Sequence, residues 1–255
     1  MRNIAATFLF LALIVSLSSF SFAQDACPQY FAGGQAPVLV NPKMANKYRV
    51  LCNSGFANGH SGLTRGPLWG AELLNKNDLD EGRGVARHDN FRPDPRLPSD
   101  ERSELRDFQH SGFDRGHCIN NRDMIPENRD GTFLLSNMMV QDHSNNTGLW
   151  SAIESATRYE AKRRGQLYVI TGPLFRGQLR ALKGRVIIPS DIFKCLYDQQ
   201  RQQAGCYVTP NAPGDQYNVA SVAEVEQAAG INLFPAMPVQ VKAQAIKLSA
   251  PKMRH

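Results

Sequence analysis

Apolar positions along the chain follow two periods, and the change from one to the other marks its elements. Residues 48–52 and 66–74 are short runs carrying Tyr48, Val50, Leu51, Leu68, Trp69 and Leu74, and predict two strands that pair with each other. Between them, 53–65 is rich in Gly, Asn and Ser, the composition of a loop, with His60 solvated in it. Residues 75–99 are charged, and Pro93, Pro95 and Pro98 exclude a helix or central strand there. This stretch reads as a long surface connection with the basic residues Arg83, Arg87, Arg92 and Arg96, suited to one wall of a phosphate groove.

Downstream, 100–108 predicts a short helix, 113–117 a tight turn and 132–140 a buried strand. Leu149, Trp150, Ile153, Ala156 and Tyr159 recur at helical spacing, so 146–164 predicts the longest helix, stopped by Gly165, with Trp150 in the core. Residues 166–175, 185–196 and 206–209 predict strands, the last two forming a hairpin, and Ser221 with Glu224 forms a capping box that opens a helix ending near Gly230. No repeat or linker interrupts this order, which predicts one α+β domain over 24–239, followed by a flexible basic tail at 240–255.

The chain opens with Arg2, an uncharged run at 4–15 and the small residues Ser21 and Ala23, the layout of a signal peptide spanning residues 1–23 and of a protein exported to the periplasm or beyond the cell. The alternative is an uncleaved anchor. An apolar content of 42% is ample for a core, and a net charge of +6 is compatible with a polyanionic partner without identifying one. Five cysteines without a CxxC pair suggest disulfides rather than zinc. Cys195 and Cys206 flank a polar turn and would face each other across a hairpin, Cys27 and Cys52 make a second candidate pair, and Cys118 is left as a small buried residue.

The chemistry concentrates in one stretch. His117 is a candidate general base, because a neutral imidazole accepts a proton near pH 7. Asn146, Trp150, Glu154 and Arg158 recur every four residues and form one slowly winding helical ridge. Asn146 offers a neutral oxygen to a hard divalent cation such as Mg²⁺, Glu154 a carboxylate for that ion's waters, and Arg158 a fork for a phosphate oxygen. Singly, each has an ordinary reading: a structural histidine, a helix cap, a surface ion pair.

Phe113, Asp114, Arg115, Gly116 and His117 resemble the DRGH signature of the DNA/RNA non-specific endonucleases, the ββα-metal or His-Me finger nucleases. Residues 133–138, Gln141, Asn146, Gly148, Trp150, Ile153 and Glu154 are similar to the family's second block, and 91–95 with Phe234 and Pro235 extend the likeness. The resemblance implies a ββα-metal fold with a central, mainly antiparallel sheet, flanking helices and long loops. It implies sugar-non-specific hydrolysis of DNA and RNA with a divalent metal, Mg²⁺ or another such as Mn²⁺. In it, His117 would be the base, Asn146 the direct metal ligand, Glu154 the acid ordering metal waters and Arg158 the transition-state arginine. Asn137 would position catalytic groups, Asp114 and Arg115 belong to the signature, and Arg87 is the best match to an upstream catalytic arginine. Val140 and Cys118 depart from the family pattern. A nuclease-like module that binds without cutting, and a metal-dependent phosphatase or nucleotide hydrolase, are the competing readings.

Overall fold

In the computed structural model, which describes residues 27–253, a seven-stranded antiparallel sheet runs through the molecule. The predicted leader at 1–23 lies outside the described residues. The sheet consists of β2 (Tyr48–Asn53), β3 (Phe56–Ser61), β4 (Gly66–Asn75), β7 (Gln166–Leu174), β10 (Asp191–Asp198), β11 (Gln203–Pro210) and β12 (Asn218–Ala220), neighbouring one another in that order. Three small two-stranded sheets complete the β-structure: β1 (Val38–Leu39) with β13 (Ile231–Asn232), β5 (Phe113–His117) with β6 (Met138–Asp142), and β8 (Arg180–Leu182) with β9 (Val186–Ile188).

Side chains alternate across the pleat, so the sheet buries two faces. Ile170, Phe193, Cys195 and Val208 point to one core, closed by Phe31, Phe234 and the helix α5 (Val222–Ala229), which begins at the Ser221 capping box and ends at left-handed Gly230. Val169, Ile192, Leu196 and Tyr207 point to the other, closed by Trp150 and by Ile153 and Ala156 of the helix α4 (Ser151–Arg164) that follows it. Ile153 is fully buried, and its truncation to Ala would cost about 2–5 kcal/mol. Cys195 and Cys206 are directly opposed in the β10–β11 ladder and are bonded, as are Cys27 and Cys52, while Cys118 is free and buried. Among the described residues no helix is long and apolar enough to cross a membrane.

Several expectations need correction. Residues 56–61 are not a loop but β3, every residue of it buried, so β4 pairs with β3 and β7 rather than with β2. The Gly, Asn and Ser content that mimics a loop serves close packing: a Cβ on Gly59 would sit 2.2 Å from the Trp69 indole nitrogen. His60 is fully buried, its Nε2 2.8 Å from the Glu101 carbonyl oxygen. The connection at 75–99 opens with a helix, α1 (Lys76–Glu81), capped by Asn75, and the helix expected over 100–108 shortens to α2 (Leu105–Phe108). Residues 132–137 form 3₁₀ turns, and the strand begins at Met138. The tail is packed: α6 (Val239–Lys242) places Lys242 against Glu226 at 2.8 Å, the Ile246 N–H donates to the Ala204 carbonyl, and Leu248 is buried.

Candidate active site

β5, β6 and the helix that follows form a ββα unit lying against the second core. β5 is a strand where a turn was expected, in register with β6 from Phe113 opposite Asp142 to His117 opposite Met138. Gly116 is required by close approach, since a Cβ there would meet Gln141 Oε1 at 2.0 Å. The helix starts earlier than its apolar stripe implies. Asp142 caps it by accepting from the Asn145 N–H at 2.9 Å, α3 (His143–Asn145) gives its first turn, and Asn146–Trp150 is wound as a π-helix before α4 begins. Asn146 is therefore inside the helix and is not its cap. Single π turns widen a helix locally and recur at functional sites.

His117 ends β5 almost fully buried, with its ring 5.6 Å from that of Phe91 and 5.5 Å from that of Phe133. Its Nε2 is buried with no hydrogen-bond partner among the described residues. Burial, then the nearby Arg87 and Arg115 guanidinium groups, lower its pKa to about 3 against the opposing pull of Asp89. The ring is thus held neutral.

The chain leaving His117 is clamped by Asn137. The Asn137 side-chain oxygen accepts from the Ile119 N–H at 3.0 Å and from Asn58 at 3.2 Å. Its nitrogen donates to the Ile119 and Thr132 carbonyls, both at 2.9 Å, and its backbone carbonyl accepts from the Cys118 N–H. Every polar atom of this buried side chain is committed to protein, so its geometry is that of a positioning residue.

Asn146 donates its side-chain nitrogen to Asp114 Oδ2 at 2.8 Å, and the same carboxylate lies 3.0 Å from His143 Nδ1. Asp114, Arg115, Arg87, Phe91 and Asn146 line one open cleft of about 330 Å³. The Arg115 guanidinium carbon stands 4.2 Å from the centre of the Phe91 ring, and that of Arg87 is 5.4 Å from the Phe133 ring. Buried Asp94 sets this wall by accepting from Ser136 Oγ at 2.6 Å and from the Arg96 side chain at 2.6 and 2.9 Å. The Pro-rich connection is thereby tied against the 3₁₀ turns that lead into β6.

Glu154 and Arg158 are turned toward the sheet and are not a surface pair. Arg158 donates to Asp123 at 2.8 Å and to Ser155 Oγ at 3.2 Å. Burial raises the pKa of Glu154, offset by Arg158 and Lys194, and Asn120, three residues after His117, donates to its carboxylate. Beneath it lie Glu72 and Lys194, both fully buried, 4.0 Å apart, with the Lys194 ammonium donating to Thr171 at 2.7 Å. Asp123, Asn120, Glu72 and Lys194 escaped the sequence reading. Asn120 and Asp123 follow the signature closely enough to be suspected, whereas Glu72 and Lys194 sit on distant strands with no local signal.

Among the described residues no three or more His, Cys, Asp or Glu side chains cluster in a way that could hold a metal. Asn146 instead presents an arrangement suited to a hard cation with few protein ligands. Its nitrogen is committed to Asp114, which leaves its carbonyl oxygen as the available donor at an open, water-accessible cleft. The donor set fits a divalent ion that keeps most of its waters.

The profile of the DNA/RNA non-specific endonuclease family matches residues 37–240. Nuclease C1 of Cunninghamella echinulata var. echinulata is 33% identical over 194 residues, covering 67% of this chain and 77% of that protein. Human mitochondrial endonuclease G is 31% identical over 220 residues, covering 78% and 71% respectively. The mitochondrial nuclease EXOG of Danio rerio is 30% identical over 199 residues, and there the chain spans only 58% of its relative's length. Among solved structures, a chain of the EndoG/EndoGI complex superposes with a TM-score of 0.70 at 24% identity, over 77% of this chain and 89% of that one, a likeness of fold. With its matched region covering most of the molecule and its ββα unit in place, the chain belongs to the DNA/RNA non-specific endonucleases.

Proposed function

We propose that this chain is an exported, Mg²⁺-dependent endonuclease that hydrolyses phosphodiester bonds in both DNA and RNA with little base preference. The observation that carries the reading is the hydrogen bond from Asn146 to Asp114, because Asp114 lies on the same strand as His117 and only three residues before it. Three residues span about 10 Å of strand at about 3.3 Å per residue, so one short segment carries both the proposed base and the residue that holds the proposed ion ligand.

In this account the His117 imidazole takes a proton from the attacking water as the new P–O bond forms and the bond to the leaving oxygen breaks. Asn146 would hold a divalent ion, with Glu154 accepting from its waters, and such an ion would supply positive charge to offset that on the phosphorane and leaving oxygen. Arg158 reaches a phosphate oxygen, and Arg87 and Arg115 bind the anion. A phosphate seated between those two arginines also opposes the field that suppresses protonation of His117, so the ring gains basicity when substrate arrives. Asp114 fixes Asn146, and Asn137 fixes the backbone beyond His117.

Export is supported by the leader pattern at residues 1–23 and by the two disulfides, which persist in oxidising compartments. The test is cleavage of supercoiled plasmid and of structured RNA with and without EDTA. Cutting of both, abolished by EDTA and restored by Mg²⁺, supports the proposal. Binding without cutting would favour a nuclease-like binding module, and turnover of mononucleotides alone would favour a phosphatase.

A further inference from the structure

A second cleft, of about 520 Å³, opens beyond Arg158, and it is strongly basic. Arg83, Arg122, Arg129, Arg158 and Lys162 line it together with Tyr159. The loop following α1 walls both clefts, with Arg83 and Val85 facing this one and Arg87 and Asp89 the one beside Asn146. Arg158 is paired with Asp123 and Lys162 with Asp80, but the other three cations meet no carboxylate among the described residues. Arg129 donates to the carbonyls of Met124, Val85 and Gly82 and meets no carboxylate. The Arg83 and Arg122 side chains form no hydrogen bond or salt bridge among the described residues, and Asp80, the acid near Arg83, is held by Lys162.

Tyr159 is the other half of the observation. It is 58% exposed, alone among the Phe, Tyr and Trp side chains of the described residues in standing so far into solvent, and it follows Arg158 on α4. An exposed ring beside unneutralised guanidinium groups is the combination that binds single-stranded nucleic acid, with bases on the ring and phosphates on the cations. A duplex keeps its bases stacked on one another, so the ring can take a base only from an unpaired stretch.

We propose that this cleft is a subsite for an unpaired segment of the substrate strand, in which Tyr159 stacks on a base while Arg83, Arg122 and Arg129 hold the flanking phosphates. The proposal rests on the nuclease reading above and deepens it. The loop after α1 lines both clefts, so a strand of a few nucleotides that enters one continues into the other.

The test uses the Tyr159→Trp variant of the full chain in EDTA, where no cutting occurs. Trp69 and Trp150 are buried, so the introduced indole is the one that a base can reach. A short single-stranded oligonucleotide should quench its emission saturably, and the same oligonucleotide made abasic should not. In the Tyr159 background, the Arg83→Ala, Arg122→Ala double variant should weaken oligonucleotide binding, read by anisotropy, about tenfold, within the range that stacking and phosphate contacts contribute. Binding with unchanged indole emission and unchanged affinity in the double variant would overturn the subsite, as would equal quenching by the abasic strand or no binding at all. Plasmid cutting by the wild-type chain with Mg²⁺ judges the nuclease reading separately, so the two failures are distinguishable.

Discussion

The side-chain amide of Asn146 is held by the carboxylate of Asp114 at 2.8 Å, a hydrogen bond that together with the His143 contact ties the helix of the ββα unit to the strand that ends in His117. With the nitrogen committed to Asp114, the oxygen is the end of the amide that the proposed ion would meet. Asp114→Ala should therefore lower metal affinity and the cleavage rate by roughly 10–100-fold, the usual cost of removing a group that orients a ligand. Mn²⁺ titration by calorimetry, alongside rates measured against metal concentration, checks it. High metal concentration should restore part of the rate, and an unchanged Mn²⁺ affinity would remove Asp114 from the account.

Arg158 is held by Asp123 at 2.8 Å, and in the proposed mechanism it neutralises charge that grows in the transition state. Arg158→Ala should lower kcat by about 10²–10³-fold with a smaller effect on KM. Arg158→Lys should recover little, because an ammonium cannot make two parallel bonds from a fixed plane. Full recovery with Lys would show that charge alone is needed there.

The burial of His117 beside Arg87 and Arg115 makes a pH prediction. Its folded pKa, about 3, lies below the ordinary 6.5. Between those values the unfolded chain binds a proton that the folded chain does not, so the His117 contribution removes stability as pH falls from 6.5 toward 3. In metal-free protein the His117 ring resonance should not titrate between pH 5 and 8, whereas His117→Phe should unfold less readily at pH 4.5 relative to pH 7 than wild type does. A midpoint near 6.5 in the NMR titration would contradict the burial argument.

Lys194 is a buried cation between Glu72 and Glu154, both of whose carboxyl groups are pushed above their ordinary values, first of all by burial. Lys194→Met leaves those carboxylates without it and should destabilise the fold by up to about 3–5 kcal/mol where they are ionised. Because they protonate more readily than exposed acids, the loss should be smaller at pH 5 than at pH 8. Thermal melts of variant and wild type at the two pH values check this, and an equal loss at both would show that the lysine acts through packing alone.

Much of this site was legible in the sequence because it is local. His117 with Asp114 and Arg115, and Asn146 with Glu154 and Arg158, are close in the chain, and a strand followed by a helix brings such spacings together with little help. The partners that make the residues work are less legible. Glu72 and Lys194 reach Glu154 from strands far away in sequence, and nothing near either one announces burial. β3 was hidden because Asn58, Gly59, His60 and Ser61 have loop-like composition, and only the Trp69 ring and the partners of Asn58 and His60 explain their place inside a sheet. The packing of the basic tail has no local signal, because Lys242 has the sequence setting of a solvated charge and its partner Glu226 lies sixteen residues before it.

The central claim, that the His117 imidazole activates water at the phosphate bound beside Asn146, is tested most directly by single-turnover plasmid cleavage with the His117→Ala variant at saturating Mg²⁺. A loss of about 10²–10⁴-fold in the cleavage rate, the range for a general base, with DNA affinity and Mn²⁺ affinity within twofold to threefold of wild type, is the predicted result. A variant that still cuts at a rate within a few-fold of wild type would contradict it.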